Sequence, residues 1–332
     1  MLVRVTVWTL MVGALWILGV ASAAQAQSAE VLRTASGAPD LQGVWDFRSL
    51  TPMERPQGLA EDEVFTDEQA AEFSADAIRR RSRDSSTSDR AARVASGDII
   101  PYNDFWFDEG TAVTTQRTSL VVDPADGRIP PLTPAAGARA AAAERARSGV
   151  SSHEPTPGGF VEDLGPGGLQ VRCILGFNSG PPMTPSAYNN NVQVFQTDDA
   201  VVLLAEMNHN VRVIPLTGNA HVAASIRQWT GDARGRWEGD TLVVETTNFL
   251  RETNFMQGVT SPDLTLVERF TRIDADTLRY DVTVADSQVW TAPWTFSVPM
   301  TRNPQPMYEY ACHEGNYGLY NILAGATSGA GK

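Results

Sequence analysis

The second half of the chain constrains the fold most. From Val192 onward, short stretches alternate apolar and polar residues and are broken at near-regular intervals by turn residues. Alternation with period two means one face of each stretch is buried, as in a half-buried strand. The pattern predicts strands near 192–197, 200–206, 210–216, 224–230, 241–248, 264–273, 277–285 and 293–300. Asp198-Asp199, Thr217-Gly218-Asn219, Glu238-Gly239-Asp240 and Asp274-Ala275-Asp276 supply turns between them. Eight short strands at near-regular spacing suggest a sheet that curls on itself. A mainly β fold is expected, as a lipocalin-like antiparallel barrel or a strongly curved sheet, and such a barrel can hold one small ligand.

The first half reads differently. Residues 40–50 form a first strand around Gly43-Val44-Trp45, and 51–191 read as a helical and loop-rich insertion. Thr66 with Gln69 three residues on is a capping box, predicting a helix through Ile78 into the arginine cluster Arg79 to Arg83. Thr118 to Val122 is a short strand, and Thr133-Pro134 opens a second helix to about Ser148. Val150 to Gly168, rich in glycine and proline, reads as a loop that could cover a pocket. Residues 301–332 follow the meander as a C-terminal segment, and 27–332 are expected to form a single domain.

The amino terminus gives an address. A basic lead to Arg4, an apolar run Val5 to Val20, and small residues at Ala24 and Ala26 read as a signal peptide, residues 1–26. A periplasmic or secreted protein without a membrane span after cleavage is the expectation. The chain carries 26 basic and 39 acidic residues, a net charge of −13. Such a surface disfavours nucleic acid and anionic membranes. Lys332 is the only lysine, which leaves no candidate for Schiff-base chemistry and makes arginine the cation of any site. Two cysteines in an exported chain favour a disulfide, Cys173 to Cys312, with a thiol nucleophile beside His313 as the alternative.

Ionisable residues concentrate between Glu206 and Thr247. His209 and His221 are candidate general bases or acids, and Arg212 a clamp for developing negative charge. If Met207 to His209 forms a turn, Glu206, His209 and Arg212 could converge; otherwise Glu206 and Arg212 share a strand face and could be an ordinary ion pair. Tyr188 and Tyr310 are candidate proton donors. Arg234, Arg236 and Trp237 could stack on and hydrogen-bond a sugar or carboxylate, or could form a charged hairpin that blunts a sheet edge. Asn190, His313 and Glu314 complete the candidate substrate-binding set. No metal is favoured. Were one bound, His209, His221, His313 and Glu314 would be its ligands, although their spacing matches no compact metal motif.

Glu206-x-x-His209-x-x-Arg212, Gly218-x-x-His221, the run Trp229 to Val244 and the segment Tyr308-Glu309-Tyr310-Ala311-Cys312-His313-Glu314-Gly315-Asn316-Tyr317 together resemble a family of exported, mostly functionally unassigned bacterial proteins. The resemblance spans roughly residues 35–326 and implies export but no reaction.

The chain has no G-x-S-x-G elbow, no G-x-G-x-x-G after a strand and no phosphate-binding loop with its lysine. The residues therefore point to an exported enzyme of lyase, dehydratase or isomerase type. It would use cofactor-free acid–base chemistry on a small polar molecule in a β-barrel pocket, with carbohydrates and plant-derived aromatics as candidates. The alternatives are a barrel that binds a small ligand without turning it over, and a metal-dependent hydrolase or lyase.

Overall fold

The computed structural model describes residues 32–82, 104–150, 155–157, 164, 168–253 and 260–329. The expected signal peptide, Arg83, His153 and most of Val150 to Gly168 lie outside these residues. Ten strands form one antiparallel sheet: β1 (Gly43–Asp46), β2 (Val121–Asp123), β3 (Asn191–Gln196), β4 (Ala200–Ala205), β5 (Val211–Pro215), β6 (Asp232–Glu238), β7 (Thr241–Thr247), β8 (Thr265–Arg272), β9 (Thr277–Ala285) and β10 (Trp294–Asn303). Among the described residues four α-helices accompany it: α1 (Asp67–Arg81), α2 (Pro134–Ala146), α3 (Gly168–Val171) and α4 (Tyr317–Gly329).

The strand order is β5-β4-β3-β1-β10-β9-β8-β7-β6, with β2 on the edge of β10. β1 is therefore the hinge of the architecture. It comes from the first half of the chain and sits between the two meanders, pairing β3 on one side and β10 on the other. The first-half segment also supplies β2, which pairs with the start of β10. It adds α1, whose capping box is formed as the sequence predicts, and α2, capped by Thr133.

No ladder joins β5 to β6, so the sheet is not closed into a barrel. The two edge strands nevertheless meet through side chains. A methyl group added at Gly235 on β6 would fall 2.6 Å from Leu216 and 2.8 Å from Ile214 of β5. Eight successive antiparallel pairings separate the two, so β5 and β6 run in the same direction along this seam. Parallel neighbours cannot be joined by a hairpin. The chain must return from the end of β5 to the start of β6, and residues 216–231 make that return. This corrects the strand expected at 224–230: its residues take no place in the ladder, and Gln228 forms only an isolated bridge to Phe249 beyond β7.

Inward positions alternate along each strand. β8 and β9 bury every second residue, and Trp45, Leu242, Val244, Leu266, Tyr280, Val282, Trp294, Phe296 and Val298 pack into one cluster with essentially no exposed surface. The space that a lipocalin-like barrel would leave for a ligand is occupied by this core. Among the described residues no helix is long and apolar enough to cross a membrane.

Candidate functional site

The seam organises the candidate residues. Gly235 lies against Ile214, so the start of β6 at Asp232 is level with the start of β5 at Val211. Both histidine-bearing turns are at this end, His209 just before β5 and His221 in the return segment bonded to Asp232.

His221 is the histidine whose ring lies between two carboxylates. Its Nδ1 lies 2.9 Å from Asp232 Oδ2, and its Nε2 lies 3.8 Å from Glu245 Oε1 on the paired strand β7. Asp232 is almost fully buried. Burial alone would raise its carboxyl. The Val222 N–H at 3.0 Å, the His221 ring and the Arg234 guanidinium at 2.7 Å together hold it below the ordinary carboxylate range. An ionised carboxylate can only accept, so Nδ1 donates to Asp232 and Nε2 is the ring nitrogen left on the side of Glu245. The ring is only a quarter exposed, with 26% of its side-chain surface accessible. Arg234 is tied in turn to the return segment through Ala220 O at 3.2 Å, so the pair sits on a braced scaffold.

His209 occupies a second, separate setting. Met207 to His209 does form a turn, with Asn208 and His209 both in the left-handed region at φ 57° and 43°. The turn does not bring Glu206, His209 and Arg212 together. Glu206 accepts from Asn191 Nδ2 at 2.8 Å, and His209 faces solvent with Nδ1 donating to Tyr310 O at 2.8 Å. His313 is beside it, ring centroids 6.1 Å apart. The expected disulfide Cys173–Cys312 fastens this C-terminal segment to the residues after α3. Gln170 of α3 donates to Asn208 Oδ1 at 3.2 Å and lies 3.4 Å from Tyr310 Oη, while Asn208 Nδ2 is buried without a partner.

Arg212 turns the other way, which corrects its expected role as a clamp. It is 6% exposed inside the sheet and forms a two-pronged ion pair with Glu268 of β8, at 2.9 and 2.5 Å. Tyr280 Oη donates to Glu268 Oε1 at 2.6 Å and accepts from Met183 N at 3.2 Å. Burial pushes the Tyr280 hydroxyl well above its ordinary value, reinforced by the Glu268 charge. Burial would lower Arg212, but Glu268 outweighs it and keeps the guanidinium charged. This group bridges the interior from the edge strand to β8, with all three side chains almost fully buried.

Other candidates also separate. Arg234 and Arg236 share a strand face, but Trp237 points to the opposite one and packs against the core, so no stacked arginine–tryptophan platform forms. Arg236 and Arg269 both bind Glu238, the charged hairpin of the alternative reading. Asn190 is buried and uses both ends of its amide on Ser186, Asp108 O and Asn178, which makes it part of a loop scaffold. Tyr188 stacks edge-on with Phe177 and Phe107. His313 and Glu314 are exposed. Among the described residues no three His, Cys, Asp or Glu side chains are grouped to hold a metal, so the four-ligand set His209, His221, His313 and Glu314 is not assembled.

One feature has no counterpart in the sequence reading. A cleft of about 220 Å³ lies between Ser49, Thr51, Leu120 and Ser186, with the Arg81–Glu109 ion pair, 2.7 Å, at its edge. Arg81 reads from sequence as part of the arginine cluster Arg79 to Arg83, and nothing local signals a partner 28 residues away.

No family model matches the chain, and neither a curated protein nor a solved structure shows significant similarity to it.

Proposed function

We propose that the protein is an acid–base enzyme whose proton-transfer centre is His221 oriented by Asp232. The observation that carries this reading is the hydrogen bond from the His221 ring to a buried, ionised carboxylate, which leaves Nε2 as the free acceptor. In such a pair the carboxylate fixes the tautomer and stabilises the imidazolium that forms when Nε2 takes a proton. Glu245, 3.8 Å from Nε2, would stabilise the same charge or accept the proton onward. Arg234, half-buried beside Asp232, takes over the anion-holding role that the sequence suggests for Arg212.

These groups suit proton abstraction next to a carbonyl, followed by elimination or isomerisation, on a small polar substrate such as a sugar acid. They need no cofactor. The disulfide, together with the lack of a membrane-crossing helix among the described residues, fits an extracellular or periplasmic protein.

The test is proton exchange in D2O, followed by NMR, with a panel of uronic, hydroxy and aromatic acids. Wild-type protein should exchange or eliminate at one carbon of at least one compound. His221→Gln should lose that activity by at least about a hundredfold, the scale of a general base, while still binding the compound. Retained exchange in His221→Gln would defeat the assignment.

A further inference from the structure

His209 and His313 stand 104 positions apart in sequence, yet two independent devices hold their rings side by side. On one side, Asn208 and His209 are successive non-glycine residues in the left-handed region. That conformation is costly, and it persists only where its surroundings impose it, often at functional positions. Here Gln170 grips the Asn208 amide and Tyr310 O receives the His209 Nδ1–H. On the other side, His313 follows Cys312 directly, and the disulfide to Cys173 fixes its backbone. Asn316 Nδ2 adds a bond to Val171 O at 2.9 Å.

The tautomer follows from the partner. A carbonyl oxygen can only accept, so Nδ1 of His209 carries the proton and Nε2 presents its lone pair to solvent. Metal-binding histidines are commonly oriented in this way, with the distal N–H given to a backbone carbonyl. The separation fits as well. A ring centroid lies roughly 1.1 Å from each ring nitrogen, so with metal–nitrogen bonds of about 2.0–2.1 Å two imidazoles sharing one ion have centroids roughly 5.2 Å apart at a tetrahedral angle and roughly 6.4 Å apart in opposite positions of a tetragonal Cu²⁺ or Ni²⁺ site. The observed value is 6.1 Å. Both rings are exposed, which leaves the remaining coordination positions open to water or a ligand.

The geometry points to a two-histidine site on the surface, formed by His209 and His313, for an imidazole-preferring divalent ion such as Zn²⁺, Cu²⁺ or Ni²⁺. It is smaller than the four-ligand set suggested by the sequence, and it holds whether or not His221 is catalytic.

Calorimetric titration of the full mature protein with Zn²⁺ tests it, alongside electron paramagnetic resonance with Cu²⁺. Wild type should bind one ion per chain, with two imidazole nitrogens in the Cu²⁺ spectrum. His209→Ala and His313→Ala should each weaken binding at least tenfold and reduce the spectrum to one nitrogen, and His153→Ala should leave both unchanged. Binding by His313→Ala within twofold of wild type, or a single nitrogen in the wild-type spectrum, would overturn the site.

Discussion

Two charged centres flank the same seam, and they differ chiefly in their access to water. Arg212, Glu268 and Tyr280 lie inside the sheet, all but sealed from solvent. Asp232, His221 and Arg234 lie outside it, with the carboxylate buried but the ring a quarter exposed. The inner centre satisfies its charges on one another and links edge strand β5 to β8, so its chemistry is spent on structure. The outer centre spends only one histidine nitrogen on structure and keeps the other available. An ionisable group is therefore a candidate for catalysis here by what its partners leave free.

The largest expected effect falls on the inner centre. Arg212→Met strands the Glu268 charge in the core and should destabilise the protein by about 3–5 kcal/mol. Converting the whole group to apolar residues (Arg212→Met, Glu268→Leu, Tyr280→Phe) should recover most of that loss, since a buried ion pair and an apolar replacement are often close in energy. Urea denaturation of the two variants measures both. Equal destabilisation would mean that the ion pair is itself what holds β5 against β8, and would sharpen the contrast with the outer pair. Tyr280→Phe alone should cost less, about 1.5–3 kcal/mol, because it removes one hydrogen bond to a charged group and one acceptor for Met183 N.

The same contrast explains what could be read from sequence. Strands whose buried and exposed residues alternate were legible: 277–285 is observed as Thr277–Ala285, and 241–248 as Thr241–Thr247. The disulfide followed from cysteine number and compartment. The role of Arg212 was misread although a signal existed. Arg212 is in phase with inward Ile214, and Glu268 is in phase with inward Leu266 and Phe270. Opposite charges at two inward positions announce a buried pair. The return segment 216–231 was not legible, because its path depends on β5 and β6 meeting as parallel edges, a property of the whole sheet. The proximity of His209 to His313 depends likewise on a turn and a disulfide acting together.

The smallest expected effect is on the outer centre, and it has a signature in pH. A carboxylate held below its ordinary value contributes stability that is present above that value and is lost as pH falls through the lowered one. Asp232 is such a group. Asp232→Asn keeps much of the shape but exchanges charge-assisted bonds for neutral ones, and should cost about 1–2 kcal/mol at neutral pH. The asparagine has nothing to protonate. Melting temperatures followed from neutral pH downward should therefore converge, with wild type losing its advantage below the ordinary carboxylate range. Curves that stay parallel would mean that Asp232 is not ionised in the fold, and the argument for a free lone pair on His221 Nε2 would lose its support.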